Sequence, residues 1–76
     1  MKIIICGAGK VGTSIARHLV DQGSDVTVID SSQKLIEELR EKVDLKTIIG
    51  SASNPSVLKN AGAEDSDMII AVTLQD

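Results

Sequence analysis

Apolar and polar residues form two kinds of segment that alternate along the chain. Short apolar runs rich in Ile and Val, typical of buried strands, lie at 2–6, 25–29, 45–49 and 68–72. Between these runs, apolar residues recur at three- and four-residue spacing, which is typical of amphipathic helices. The pattern therefore predicts four strands separated by three helices, in the order βαβαβαβ.

The predicted helices carry their own boundary signals. Ser31 or Ser32 can cap the second helix, and Asn54-Pro55 is typical of the cap and first position of the third, which Gly62 ends. The predicted apolar stripes are Val11, Ile15, Leu19 and Val20 in the first helix, which Gly23 ends, and Leu35, Ile36, Leu39 and Val43 in the second.

This order of elements predicts a parallel sheet. No two strands are close enough in sequence for a hairpin, so right-handed crossovers must join them. We expect an α/β, Rossmann-like fold of three layers with strand order 3-2-1-4, the first two helices on one face and the third on the other. The chain forms one partial domain over 1–76. Because little remains to cover the second face and the edge beside 68–72, we expect self-association or a fold shortened relative to the complete domain.

A glycine motif links the first predicted strand to the first helix. It reads Gly7-Ala8-Gly9-Lys10-Val11-Gly12, a G-x-G-x-x-G string. Gly7 would allow a tight turn, Gly9 would let the backbone approach a pyrophosphate, and Gly12 would let the helix pack closely. A strand-to-helix turn can also use glycine for packing alone, so the string becomes informative only with its surroundings.

The second predicted strand ends at an acid. Asp30 lies 18 residues after Gly12, where a carboxylate can accept hydrogen bonds from both hydroxyls of a ribose. The alternative is a cap or turn residue before the second helix. Together with the glycine string, this placement predicts nucleotide binding.

Other strand ends would converge on the same site. The small residues of Gly50-Ser51-Ala52 would leave room for an adenine ring, unless they form an ordinary loop. Thr73 could offer a hydroxyl to a ligand or simply complete the fourth strand. The ammonium of Lys10 could reach a phosphate or lie in solvent.

Composition excludes several classes of function. The chain has 76 residues, a net charge of −3 and no aromatic residue, which argues against nucleic-acid binding. The glycine string is not a Walker phosphate loop, because Thr13 occupies the position where such a loop requires lysine. The chain also has no cysteine pair and no H-E-x-x-H motif that would suggest a metal site. No general acid or base stands out, so we expect no catalysis. The apolar runs are too short to insert in a membrane.

Three segments together resemble a known family. Residues 1–12, 25–30 and 62–73 are similar to the N-terminal domain of Trk-type potassium-uptake regulators, the KTN or RCK proteins. The resemblance covers the whole chain. It implies a regulatory subunit that binds NAD(H) or adenine nucleotides such as ADP or ATP and controls a membrane potassium translocator. Such a subunit would be cytoplasmic, peripheral to the inner face of the membrane, and a homo-oligomer.

The resemblance also implies a set of site residues. Many family members have Asp where this chain has Ser51. Two alternatives remain at this point: the dinucleotide-binding half of an NAD-dependent oxidoreductase, and a self-associating fragment without a ligand. The expected cofactor-binding residues are Gly7, Ala8, Gly9, Lys10, Val11, Gly12, Asp30, Ser31, Gly50, Ser51, Ala52 and Thr73.

Overall fold

The computed structural model describes residues 1–72 and contains the seven predicted elements plus one short 3₁₀ turn. The fold is α/β, as predicted. The elements in chain order are β1 (Lys2–Cys6), α1 (Lys10–Asp21), β2 (Asp25–Asp30), α2 (Gln33–Lys42), β3 (Lys46–Ile49), α3 (Pro55–Asn60), the 3₁₀ turn (Ala63–Asp65) and β4 (Met68–Ala71).

The four strands form one parallel sheet in the order β3-β2-β1-β4, which confirms the predicted topology. β1 lies between β2 and β4 and is buried at its three central isoleucines. The order reverses direction at β1, since the chain moves to one side of it for β2 and β3 and to the other for β4. In open parallel sheets this reversal leaves a crevice at the carboxyl ends of the strands.

Each face of the sheet has its own apolar cluster. Ile3 and Ile5 of β1 point to the face covered by α1 and α2, where they pack with Val28 and Ile36. Ile4 points to the opposite face and packs with Ile29 and Ala61, beneath α3. The prediction of two helices on one face and one on the other is therefore confirmed. The second cluster is much smaller than the first, as expected for an incomplete third layer.

The predicted stripe of the first helix is wrong at Val11, which is 48% exposed. The buried residues of α1 are Gly12 and Ala16. These small residues lie four apart on one face, so α1 approaches the sheet closest along their line. Val11 precedes Gly12 by about 100° around the helix axis and falls off that line. Hydrophobicity alone therefore misplaced the closest contact.

Helix ends agree closely with the boundary signals. The Ser32 hydroxyl accepts a hydrogen bond from the Leu35 N–H at 3.2 Å, which decides between the two candidate caps of α2. The Asn54 side-chain oxygen Oδ1 accepts from the Ser56 N–H at 2.9 Å and caps α3. Val43 follows the last residue of α2 as its C-cap; its backbone is extended and its side chain is buried. In the part of the chain that the structure describes, no helix is long and apolar enough to cross a membrane.

Candidate functional site

The glycine turn after β1 is compact, and two of its glycines are required by packing. Gly7 has φ +128°, a conformation that L side chains rarely adopt, and a Cβ there would overlap the carbonyl oxygen of Val72. A Cβ at Gly12 would lie 2.9 Å from the Gly7 carbonyl carbon and would overlap its oxygen. Gly12 therefore lets the first turn of α1 rest directly on the turn that precedes it.

Gly9 differs from these two glycines. Its φ of −72° is accessible to any residue, so backbone conformation does not require glycine. Gly9 is the N-cap of α1 but offers no side chain to cap it. The N–H groups of the first helical turn, including those of Lys10 and Val11, have no acceptor within the helix and point toward its N-terminal end. Gly9 thus leaves these donors unobstructed.

The Asp30 carboxylate is held by two backbone donors. One oxygen, Oδ2, accepts from the Ala8 N–H at 2.9 Å, and the other, Oδ1, accepts from the Ser32 N–H at 2.8 Å. The first bond crosses from β2 to the glycine turn. The second joins Asp30 to the cap residue of α2, so Asp30 does act as a turn residue. A carboxylate has about four lone-pair sites, so acceptor capacity remains on both oxygens.

Ala8 is fixed at its carbonyl as well as at its N–H. The Thr13 hydroxyl donates to the Ala8 carbonyl oxygen at 3.1 Å. Ala8 is 3% exposed, and its side chain belongs to the larger apolar cluster. Sequence reasoning considered Thr13 only as a residue that excludes a Walker loop. The pattern that could have predicted this hydrogen bond is a hydroxyl residue one turn into a helix that follows a glycine turn.

The loop after β3 forms the third wall. Gly50 donates its N–H to the Asp30 carbonyl oxygen at 2.9 Å, which extends the pairing of β2 and β3 to the rim of the site. A Cβ at Gly50 would lie 3.0 Å from a Val57 methyl group. The lack of a side chain at Gly50 therefore lets α3 pack close to this loop. The hydroxyls of Ser51 and Ser53 are 2.7 Å apart. Ser51 therefore contributes a neutral hydroxyl to this wall.

These walls enclose a cavity of about 370 Å³ at the carboxyl ends of the strands. Eight of the predicted residues line it together. Sequence reasoning missed Cys6, Ile29, Leu35 and Val72, which are apolar strand-end or helix residues whose orientation only the fold reveals. Thr73 lies outside the described residues. The predicted residues that line the cavity are Gly7, Gly9, Gly12, Asp30, Ser31, Gly50, Ser51 and Ala52.

Lys10 and Ala8 line a different depression. A wider groove of about 810 Å³ runs between α1 and α2 and includes Lys10, Arg17 and Lys42. It borders the smaller cavity at Gly9 and Leu35. The Asp30 carboxylate and the other two glycines of the turn do not line this groove. Val11 lines neither depression.

Chemical groups for catalysis are sparse around the cavity. Cys6 is free and half-buried, and burial raises the pKa of its thiol, which disfavours the reactive thiolate. Asp30 is the one charged residue among those that line the cavity within residues 1–72. Over the same residues, no group of three or more His, Cys, Asp or Glu side chains is placed to hold a metal ion. The arrangement can accept hydrogen bonds from hydroxyls through Asp30 and donate hydrogen bonds from backbone N–H groups to an anion.

Comparison with known proteins identifies the family. The family model of the TrkA-N domain matches residues 3–76. The chain belongs to the TrkA-N family. Solved structures agree: the TrkA-N domain of the inner membrane protein ybaL from Escherichia coli has a TM-score of 0.82 and 26% sequence identity. That match covers 92% of this TrkA-N chain and 51% of the ybaL chain.

Curated relatives are much longer than this TrkA-N chain. The Trk system potassium uptake protein TrkA of Haemophilus influenzae is 49% identical over all 76 residues, which span 17% of its length. A TrkA homolog of Pyrococcus abyssi is 40% identical, and the chain spans 34% of its length. The Shewanella denitrificans Kef C-terminal domain, solved in an AMP-bound form, has a TM-score of 0.76 and 29% identity, covering 97% of this chain and 43% of that one.

Proposed function

We propose that this TrkA-N domain binds the adenosine and phosphate groups of NAD(H), or of an adenine nucleotide such as AMP, ADP or ATP, in the cavity beside the glycine turn. The observation that carries the proposal is the Asp30 carboxylate beside a glycine turn in which Gly9 is not required by backbone conformation. A glycine whose φ any residue could adopt, placed at a helix N-terminus, leaves room for a phosphate to approach the backbone closely.

Each wall of the cavity has a distinct part in this proposal. The N–H groups at the start of α1 would donate to the phosphates, and Asp30 would accept from the ribose hydroxyls. Ser31, which lines the cavity, would lie at the ribose edge, while Gly50, Ser51 and Ala52 would surround the adenine ring. The volume of about 370 Å³ is within the range of small-ligand sites and suits one nucleotide unit.

The names of the relatives support a regulatory and non-catalytic role. They describe potassium uptake and not a catalysed reaction. We therefore place the nucleotide in a sensor that controls potassium transport through a membrane translocator, in a cytoplasmic protein peripheral to the inner face of the membrane. Within 1–72, the half-exposed Met68 and Ile69 on β4 support association through this side of the sheet, in a homo-oligomer.

A ligand panel tests this function. NADH, NAD, AMP, ADP and ATP are titrated into the protein by isothermal calorimetry, with native mass recorded on the same sample. We expect saturable binding of at least one of them, and a rise in melting temperature on binding, because a ligand selective for the folded state stabilises it.

Two variants locate the binding. Asp30→Ala should weaken nucleotide binding at least about tenfold, since it removes the charge-assisted contacts to the ribose. Asp25→Ala is the matched control, because Asp25 is an exposed acid at the opposite end of the same strand. Equal affinity in both variants, or no binding of any nucleotide at millimolar concentration, would refute the proposed site.

A further inference from the structure

The Ala8 peptide is the most constrained part of the glycine turn. Its N–H is held by Asp30 from β2, and its carbonyl is held by Thr13 from α1. Its side chain is buried in the larger cluster. Ala8 lies between Gly7 and Gly9, the two residues with the most backbone freedom. Three independent contacts therefore restrain the middle of a segment that its sequence would make flexible.

We propose that Asp30 and Thr13 are positioning residues, which lock the phosphate turn through the backbone of Ala8. The inference rests on the proposed function and goes beyond a ribose contact for Asp30. The carboxylate that would accept from the ribose also holds the turn that would receive the phosphates. The Asp30 side chain would therefore contact the ribose directly and, through Ala8, hold the turn that binds the phosphates.

The physical reason for such a lock is preorganisation. A glycine turn that samples many conformations must be ordered when it receives a ligand, and that ordering reduces affinity. With Ala8 held at both polar atoms, the ordering is completed during folding. Asp30 also holds the Ser32 N–H, so the same carboxylate fixes the start of α2 relative to the turn.

Thr13→Val provides a clean test because it changes no charge, and Thr13 is absent from the residues that line the nucleotide cavity. We expect it to weaken ADP binding about threefold or more, since it removes one neutral hydrogen bond from the turn. Thr47→Val is the matched control. The Thr47 hydroxyl accepts from Arg40 at 2.6 Å, on the surface of the sheet beneath α2, and its loss should leave ADP affinity unchanged.

Asp30→Asn separates the lock from the ribose contact. An asparagine can accept from one of the two backbone donors but not both, because its amide nitrogen is itself a donor. Affinity is compared for ADP and for 2′,3′-dideoxy-ADP, which lacks the ribose diol. A lock predicts that the variant binds the dideoxy nucleotide several-fold more weakly than the wild type does. A role confined to the ribose predicts unchanged or tighter binding, because a negative charge near the phosphates has been removed.

Amide exchange of Ala8 gives a readout that needs no ligand. By nuclear magnetic resonance, exchange at the Ala8 N–H should accelerate about tenfold in Asp30→Ala, which removes both acceptor oxygens, and remain unchanged in Thr47→Val. If the wild type binds no nucleotide, the proposed function fails, and this exchange still decides whether Asp30 holds the turn. If the wild type binds ADP but Thr13→Val binds it equally well, the lock is overturned while the function stands.

Discussion

Replacement of Gly12 by alanine tests how closely α1 approaches the glycine turn. The added Cβ would overlap the Gly7 carbonyl oxygen and lie 2.9 Å from its carbon. These are backbone atoms, which cannot rotate away, so α1 must shift. Overpacking of this kind costs about 3 kcal/mol, and the higher helix propensity of alanine returns about 1 kcal/mol. We therefore expect a net loss of about 2 kcal/mol.

That loss is large for a domain of this size. A chain of 76 residues has about 4 to 11 kcal/mol of total stability. Each kcal/mol lowers the melting temperature of such a domain by about 4 to 8 °C, so the expected decrease is about 8 to 16 °C. The assay is thermal unfolding followed by circular dichroism, with urea denaturation as an independent measure of the free energy of unfolding.

Gly23→Ala is the control for Gly12→Ala. Gly23 has φ +87°, but a Cβ added there would meet no other atom within 4 Å, so its replacement costs only the left-handed conformation, about 1 kcal/mol. We expect Gly12→Ala to be the more destabilising of the two and to weaken nucleotide binding, because the N–H groups at the start of α1 are the proposed phosphate donors. A Gly12→Ala protein as stable as the wild type would refute the close approach.

The remaining predictions concern the site and its flanking helix. Gly9→Ala should leave the melting temperature within about 4 °C of wild type, because any residue can adopt the φ of Gly9. The same variant should weaken nucleotide binding about tenfold by calorimetry. Unchanged affinity would mean that no phosphate approaches Gly9. NADP should bind more weakly than NAD because Asp30 would repel a 2′-phosphate, and tighter NADP binding would contradict its placement at the ribose. Ser32→Ala should lower the free energy of unfolding by about 1 kcal/mol and Ser31→Ala by much less, since only the Ser32 hydroxyl caps α2; equal losses in urea denaturation would contradict that assignment.

Most of the architecture follows from local signals in the sequence. The strand runs, the glycine ends and the Asn54-Pro55 cap each have a direct physical meaning, and the absence of hairpins leaves parallel crossovers as the solution. The strand order 3-2-1-4 then follows from the way such sheets are wound. The element boundaries were predictable because each depends on a few neighbouring residues, and the strand order because parallel crossovers leave few ways to wind the sheet.

The details of the site depend on contacts between distant elements. Nothing in the sequence around Asp30 indicates that its carboxylate meets the N–H of Ala8, 22 residues away. Lys10 and Gly9 are adjacent in sequence, but the helix that begins at Lys10 turns that side chain into the groove between α1 and α2. The exposure of Val11 has the same origin, because α1 packs along Gly12 and Ala16. Packing geometry decides these points, and the hydrophobic pattern does not encode it.

The central claim is that a nucleotide occupies the cavity at the carboxyl ends of the strands. The most direct measurement is a nuclear magnetic resonance titration of the protein with NADH, and separately with ADP, following every backbone amide. We predict that the largest shifts occur at 7–12, 30–31 and 50–52, with little change in the rest of the groove between α1 and α2, at 14–21 and 38–42. Shifts concentrated in that groove, or no shifts at millimolar ligand, would contradict the account.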